Sequence, residues 1–527
     1  MSELGVTPPP STPDQAQQFR SQVGHISRHS GMFFAGTIFS VGFGYIFKVY
    51  LARVLGAEAL GLYALGMTLV GFLGIFNTLG LPQSAVRFVV QYLAANRHKE
   101  LHALLWRGAA LLVAANLLLA GVLLACGKWV AVHVYHSPAL VPYLPWFGGI
   151  LLFGVVSGFY GKVLAGFRDM KFRTLIVNFI GSPLNMLATV VLVSVGLGLR
   201  GYLAAQILSG MIVGGLLVIA VRHFTPEAAR FNAQSGMFPE RQVWTFSAAM
   251  LGVGLLEFVI AQVDKVTLGA YRGAREVGVY SVASAMVVYV PLVLSSVNQI
   301  FTPTIADLHV RGERTMLARL FQSLTKWVIG LTLPLAFVVM VFARPLMRIF
   351  GPDFEFGWPV LVIGTAAQLI NCGVGSVGYL LLMSGNERRL IKVQSAMAAV
   401  TIVCSLALIP QWGVYGAAAA AAITNAGTNL WALIEVRRAL GLSPYNRSYL
   451  HLIVPSAATL MFVLLCRRLL LALPHQWIAI GLTLVLAYVV FPAIFLLVSG
   501  LDADDRLIAA ALRSRVRGVF ERSGAGA

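Results

Sequence analysis

A chain of 527 residues in which 58% are hydrophobic and only 11% charged is too apolar for a water-soluble globular protein, whose charged share is about a quarter. A formal net charge of +19 raises nucleic acid as a partner. The Lys and Arg residues, however, lie in short clusters between apolar runs and form no basic face. Composition therefore excludes a soluble enzyme and a nucleic-acid binder, and leaves an all-α polytopic membrane protein.

Residues 1–30 are rich in Pro, Ser and Gln and have no apolar core, so they are expected to form a disordered tail and not a cleavable signal peptide. Runs apolar enough to cross about 30 Å of hydrocarbon, roughly 20 residues each, follow at 31–54, 60–81, 104–126, 144–166, 173–197 and 201–221. Six more lie at 244–269, 276–299, 326–346, 358–384, 390–410 and 414–436, and a last pair at 449–470 and 475–499, which makes fourteen expected spans. Cys126, Cys372, Cys404 and Cys466 have neither metal nor disulfide spacing and read as small core residues. His133 and His136 sit in a short loop without further ligands, so no metal is expected there. No phosphate-cradling motif, Ser/His/Asp set or large soluble domain is present, and an ATP-driven pump is disfavoured.

Loops facing the cytoplasm carry an excess of Lys and Arg. With the amino terminus inside, that side collects Arg87, Arg97 and Lys99, then Arg168, Lys171 and Arg173, then Arg311, Arg314 and Arg319, then Arg388, Arg389 and Lys392. The expected organisation is a tail 1–30, an N-lobe 31–221, an inter-lobe linker 222–243, a C-lobe 244–436, an extra helix pair within 437–499, and a basic amphipathic tail 500–527 lying on the inner surface.

The two lobes are expected to be copies. Lys265-Val266, Leu268, Gly273-Ala274, Gly278 and Tyr280 repeat Lys48-Val49, Leu51, Gly56-Ala57, Gly61 and Tyr63 at a constant offset of 217, seven identities in sixteen positions. Gly198-Leu199-Arg200-Gly201-Tyr202 is echoed by Gly413-Val414-Tyr415-Gly416-Ala417 at nearly the same offset. Copies that begin an even number of spans apart have one orientation and are related by a pseudo-two-fold axis along the membrane normal.

Charges inside such spans cost about 2.5–3.5 kcal/mol on insertion scales and usually face a polar cavity or a partner. Lys48 and Lys265 hold equivalent places, and two ammonium groups flanking one cavity would attract a phosphate or pyrophosphate. The alternative is that each snorkels or closes an internal ion pair. Arg53 is a further candidate for the anionic headgroup. Glu257 and Asp264, seven residues apart, share a helix face and are candidates for coupling to a proton or sodium gradient, or else simply neutralise the lysines. Gln368 with Asn371, Asn425 with Asn429, and Asn178 are candidate cavity-lining amides, with interhelical hydrogen bonding as the alternative.

Leu55-Gly56-Ala57 through Gly61-Leu62-Tyr63, Leu79-Gly80-Leu81-Pro82 with Arg87-Phe88-Val89, Phe350-Gly351-Pro352-Asp353-Phe354 and Gly385-Asn386 together resemble the polysaccharide-type lipid-linked oligosaccharide flippases. These belong to the multidrug, oligosaccharidyl-lipid and polysaccharide exporter superfamily. The resemblance implies two helical lobes around a cationic cavity, alternating access, and no enzymatic activity. It also implies an undecaprenyl-diphosphate-linked repeat unit as substrate, turned from the cytoplasmic to the periplasmic leaflet of a bacterial inner membrane for O-antigen, capsule or exopolysaccharide assembly. Expected partners are membrane lipids, a polysaccharide polymerase and glycosyltransferases around a monomer with both termini cytoplasmic. Beyond a coupling ion no cofactor is expected. A peptidoglycan lipid II flippase is the nearest alternative, and a multidrug cation antiporter a more distant one.

Overall fold

The computed structural model describes residues 13–167, 170–227, 241–470 and 476–498; these residues form helices and turns, without a strand. The expected amphipathic tail 500–527 and most of the expected linker lie outside the described residues. Helix α1 (Pro13–Asn77) starts on a proline, whose missing N–H costs nothing in the first helical turn. No further proline interrupts it before Pro82. Residues 13–30 are consequently helical, where the sequence predicts a disordered tail.

In chain order there follow α2 (Leu81–Ala94), α3 (Gly108–Trp129), α4 (Leu144–Gly166), α5 (Ser182–Leu192) and α6 (Gly198–Phe224). The second half opens with α7 (Arg241–Arg272), α8 (Ala274–Val287) and α9 (Leu292–Val310), then α10 (Arg314–Val341) and α11 (Ala343–Arg348). It continues with α12 (Trp358–Val374), α13 (Val377–Met383), α14 (Glu387–Trp412) and α15 (Val414–Leu440), and closes with α16 (Ile453–Leu470) and α17 (Gln476–Val498). Among the described residues nine helical stretches are long and apolar enough to cross a membrane, or ten with the bent pair α8–α9 taken as one. Fourteen separate crossings are thus not established. Gly42–Asn77 and Phe172–Phe224 each run as one stretch through a glycine corner, and α7, with its three internal charges, is not among the nine.

The internal repeat is visible in the backbone. Gly56 (φ 79°, ψ 173°) and Gly273 (φ 81°, ψ −179°) break their helices in the same way, in a region of φ that only glycine enters freely. Gly198 (φ 53°, ψ −131°) and Gly413 (φ 53°, ψ −127°) are a second matched pair. Each of these corners interrupts the helical backbone with nearly the same dihedral angles in both lobes.

The lobes meet through the first repeat. A Cβ on Gly61 would fall 1.7 Å from the Ala274 carbonyl oxygen, and one on Gly278 would fall 1.9 Å from that of Ala57. These are the same contact seen from both copies, since 57 pairs with 274 and 61 with 278. Around it lies one apolar core shared by both lobes, with Leu51, Leu65 and Phe147 from the first and Leu268, Tyr280 and Phe350 from the second. At the opposite end the core divides. Phe88, Leu104, Phe159 and Leu217 form a cluster within the first lobe, and Phe301, Leu320, Phe321 and Leu380 another within the second. The two bundles thus share one core at the glycine contact and keep separate cores beyond it, where α2 and α7 still touch across the lobes. The helices α16 and α17 pack on each other and on α10, through Leu452, Phe491 and Phe495 against Val328 and Ile329.

Candidate functional site

Beyond the glycine joint, the lobes touch along two seams. On one, Phe72 of α1 meets Phe258 of α7 edge-on at 5.6 Å, and Ile75 lies against Gly254. On the other, the Tyr45 hydroxyl of α1 donates to the Met286 sulfur of α8 at 3.9 Å. Lys48 stands on the second of these seams, and Lys265 lies on the helix that forms the first.

Lys48 is half-buried, with its Nζ 5.4 Å from the centre of the Tyr289 ring between α8 and α9. Its contact is therefore a cation–π interaction across the lobe boundary. Lys265, also half-buried, donates from Nζ to Gln262 Oε1 at 3.0 Å, one turn back on α7. Lys265 shares a helix face with Gly254 and Phe258, the residues that meet α1. Among the described residues no contact joins the two ammonium groups. Among the described residues neither is paired with a carboxylate.

Asp264 and Glu257 share a helix face in sequence but not an environment. Asp264 is buried; its carboxyl accepts the Tyr280 hydroxyl of α8 and, at 2.7 Å, the Lys265 backbone N–H. It joins α7 to α8. Glu257 is exposed in the middle of α7 and has no partner among the described residues. Arg53 stands apart from the lysines. Exposed at the joined end, its Nε donates to the Ile349 carbonyl at 2.8 Å and ties the first lobe to the second.

The amides divide similarly. Asn371 donates to Gln368 at 3.0 Å within α12, and Asn429 donates to the Asn425 carbonyl at 2.9 Å within α15. Each pair is half-buried and satisfied along its own helix. Asn178 is exposed in the π-helical turn Leu175–Gly181 that precedes α5. His136 bonds the Ala270 carbonyl across the lobes at 3.2 Å, while His133 stacks on Trp129.

The residues that sequence reasoning missed are the partners. Gln262 lies three positions before Lys265 and was legible as a helical neighbour. Tyr280 belongs to the repeat, but nothing in the repeat says that its hydroxyl meets Asp264. Tyr289 is on another span and carried no signal.

Comparison with known proteins accounts for this architecture. The family described as "Polysaccharide biosynthesis protein" matches residues 27–309, more than half of the chain, and the MatE family matches residues 249–386. The succinoglycan biosynthesis transport protein ExoT of Rhizobium meliloti (strain 1021) is 26% identical over 347 residues, which cover 64% of this chain and 65% of ExoT. The match thus spans slightly less than two thirds of that relative's length. Among solved structures, the lipid II flippase MurJ in an inward closed conformation has a TM-score of 0.65 at 14% identity, covering 88% of this chain and 99% of that one. An inward-facing multidrug resistance MATE family transporter of the MOP superfamily has a TM-score of 0.59 at 14% identity, covering 75% and 94%. Identities this low speak for the fold alone. The chain is a multi-pass membrane protein that belongs to the polysaccharide biosynthesis protein family, within the superfamily of multidrug, oligosaccharidyl-lipid and polysaccharide exporters.

Proposed function

We propose that this protein turns a polyprenyl-diphosphate-linked oligosaccharide from the cytoplasmic to the outer leaflet of a bacterial inner membrane by alternating access, and that an ion gradient drives the cycle. The observation that carries the reading is the pair of half-buried lysines held in no salt bridge among the described residues: Lys48 against the Tyr289 ring across the lobe boundary, and Lys265 bonded to Gln262 with Asp264 beside it in the chain. A cation such as Lys48, whose contact among the described residues is an aromatic ring, favours an anion in a low-dielectric site, because little water competes for it. A diphosphate held between Lys48 and Lys265 would leave its glycan in the polar space and its isoprenoid tail in hydrocarbon. The joined end with its shared core, and the divided opposite end, support rocking about the glycine contact. Kinship with ExoT supports an exopolysaccharide repeat unit as the glycan.

For ion coupling, the exposed and unpartnered Glu257 is the better candidate of the two carboxylates, since Asp264 is sealed by Tyr280. The test is transport of a fluorescent polyprenyl-diphosphate oligosaccharide by the protein in proteoliposomes, with and without proton and sodium gradients. The Lys48→Gln, Lys265→Gln double variant should insert normally and lose transport; full activity in it refutes the assignment. Glu257→Gln should abolish the response to the gradient, and a variant that still responds moves the coupling elsewhere.

A further inference from the structure

The joined end of the molecule carries on its surface two neighbouring clefts of about 390 and 380 Å3 that share Phe356 and Tyr415 in their walls. Both belong to the second lobe, and both lie away from the lysines. Volumes of this size fall at the low end of small-ligand sites. We propose that the two clefts form a docking site for a neutral oligosaccharide, and, on the flippase reading, that they receive the glycan of the transported lipid at this end.

The chemistry of the walls selects the ligand class. Trp358 and Tyr415 line the first cleft and Trp412 and Tyr415 the second; Tyr415 and Trp412 are 44% and 56% exposed. Aromatic faces left in water bind the apolar C–H faces of sugar rings, and a line of them across adjoining clefts suits a chain of rings. Between them stand three guanidinium groups, Arg272, Arg275 and Arg344, and three carboxylates, Glu276, Asp353 and Glu355. Arg275 bonds Asp353 at 2.8 Å, Arg348 bonds Glu355 at 3.2 Å, and Arg344 covers the Trp358 ring at 5.4 Å. With Arg348 included, four guanidinium groups face three carboxylates, but two are held in ion pairs and Arg344 lies over the Trp358 ring, so no cluster of free cations is left for a phosphate. These groups do offer planar donors and acceptors with spare capacity to hydroxyl groups on both sides.

The walls are fixed by the fold. The turn Pro352–Gly357 is anchored by buried Phe354, and Gly357 is so close to Val279 that a Cβ would fall 2.5 Å from its side chain. Asp353, Glu355 and Phe356 are thereby presented outward on a rigid loop. Gly413, at the matched corner, turns Trp412 and Tyr415 into the same cleft, and a Cβ on it would strike Glu276 Oε2 at 2.6 Å. The corresponding corner of the first lobe has Leu197 and Arg200 at those places. The aromatic walls are thus an addition to one copy and not a consequence of the repeat.

The full-length protein in detergent, titrated with neutral tetrasaccharides of glucose and of N-acetylglucosamine in α- and β-linked forms, should show saturable quenching of tryptophan emission. Tyr415→Ala, Trp412→Ala and Arg344→Gln should each weaken binding at least tenfold without lowering the thermal midpoint, because all three side chains are substantially exposed. Cleft-dependent binding of inorganic pyrophosphate in place of the sugars overturns the proposal, as does a wild-type protein that binds none of the tetrasaccharides yet transports the lipid-linked glycan. Saccharide binding in a protein that transports no lipid-linked glycan leaves the cleft standing and refutes the flippase reading instead.

Discussion

Residues 48–63 and 265–280 turn one corner with one backbone, at Gly56 and Gly273, and carry two different polar loads. In the second copy Tyr280 donates to Asp264, and both are buried. In the first, Phe47 stands where Asp264 would be. There the hydroxyl of Tyr63 instead accepts the Gln206 amide of α6 at 2.9 Å, with its ring against Tyr202 at 4.8 Å. Likewise Lys48 faces an aromatic ring of the opposite lobe, whereas Lys265 bonds an amide of its own helix. Duplication has kept the geometry by which the lobes touch and released the chemistry beside it. The two-fold belongs to the backbone, and any asymmetry of transport belongs to the side chains.

The sharpest way to break that equivalence is at the joint. Gly278→Ala places a methyl group 1.9 Å from the Ala57 carbonyl and Gly61→Ala one 1.7 Å from that of Ala274. Neither backbone oxygen can yield without separating the lobes. Both variants should lose transport at least tenfold and show a lengthened distance between spin labels at Val54 and Tyr271, the exposed repeat partners that flank the corner. Gly74→Ala, whose Cβ meets nothing within 4 Å, should behave as wild type. If Gly61→Ala were tolerated while Gly278→Ala was not, the contact would not be symmetric in function.

A smaller effect distinguishes the polar loads. Tyr280→Phe leaves a buried carboxyl with one donor fewer and should cost about 1.5–3 kcal/mol. Tyr63→Phe leaves the half-exposed Gln206 amide, which water can serve, and should cost about 0.5–1.5 kcal/mol. Thermal unfolding in detergent measures both. Combining Asp264→Leu with Tyr280→Phe should cost less than the two single changes added together, because the second removes a partner already lost, while Lys265 still loses its neighbouring carboxylate. An equal cost for the two tyrosine variants would place Asp264 in contact with water.

The fold was legible where chemistry repeats. A spacing of 217 residues between matching Gly-Ala pairs marked the repeat, though not that the copies meet there: Gly56 and Gly273 serve the positive φ of the corner, and Gly61 and Gly278 the close carbonyl contact. The lysines were legible as costly charges in apolar runs. Their partners were not: periodicity places a side chain on a helix face, but the neighbour of that face is set by how the helices cross. Lys48 meets Tyr289 because α8 and α9 bend at Pro291, near which the pair turns by 54°, a geometry that no local pattern encodes. Arg53, near Lys48 in sequence, lies on a different helix face and bonds the Ile349 carbonyl of the second lobe, a partner that spacing does not reveal. The helical start at Pro13 likewise escaped composition, since Ser and Gln suit a helix flank as readily as a coil.

The smallest expected effect sharpens the comparison at its rim. Arg53 donates to Ile349 across the lobes, and its repeat partner, Ala270, offers only its carbonyl, which His136 of the first lobe bonds instead. Each copy is thus pinned once by an exposed hydrogen bond, through a side chain in one case and a backbone oxygen in the other. Arg53→Ala should weaken the joined state by about 0.5–1.5 kcal/mol, which raises the separated population a few-fold. The same labels at Val54 and Tyr271, in a cysteine-free background, read that population directly. Since Ile349 loses only an exposed donor that water replaces, the protein should remain as stable to heat as before. A change in the distance distribution without a change in thermal midpoint marks Arg53 as a latch on the transport cycle. An unchanged distribution would reduce it to a surface contact, and the glycine pair would then hold the lobes without polar help.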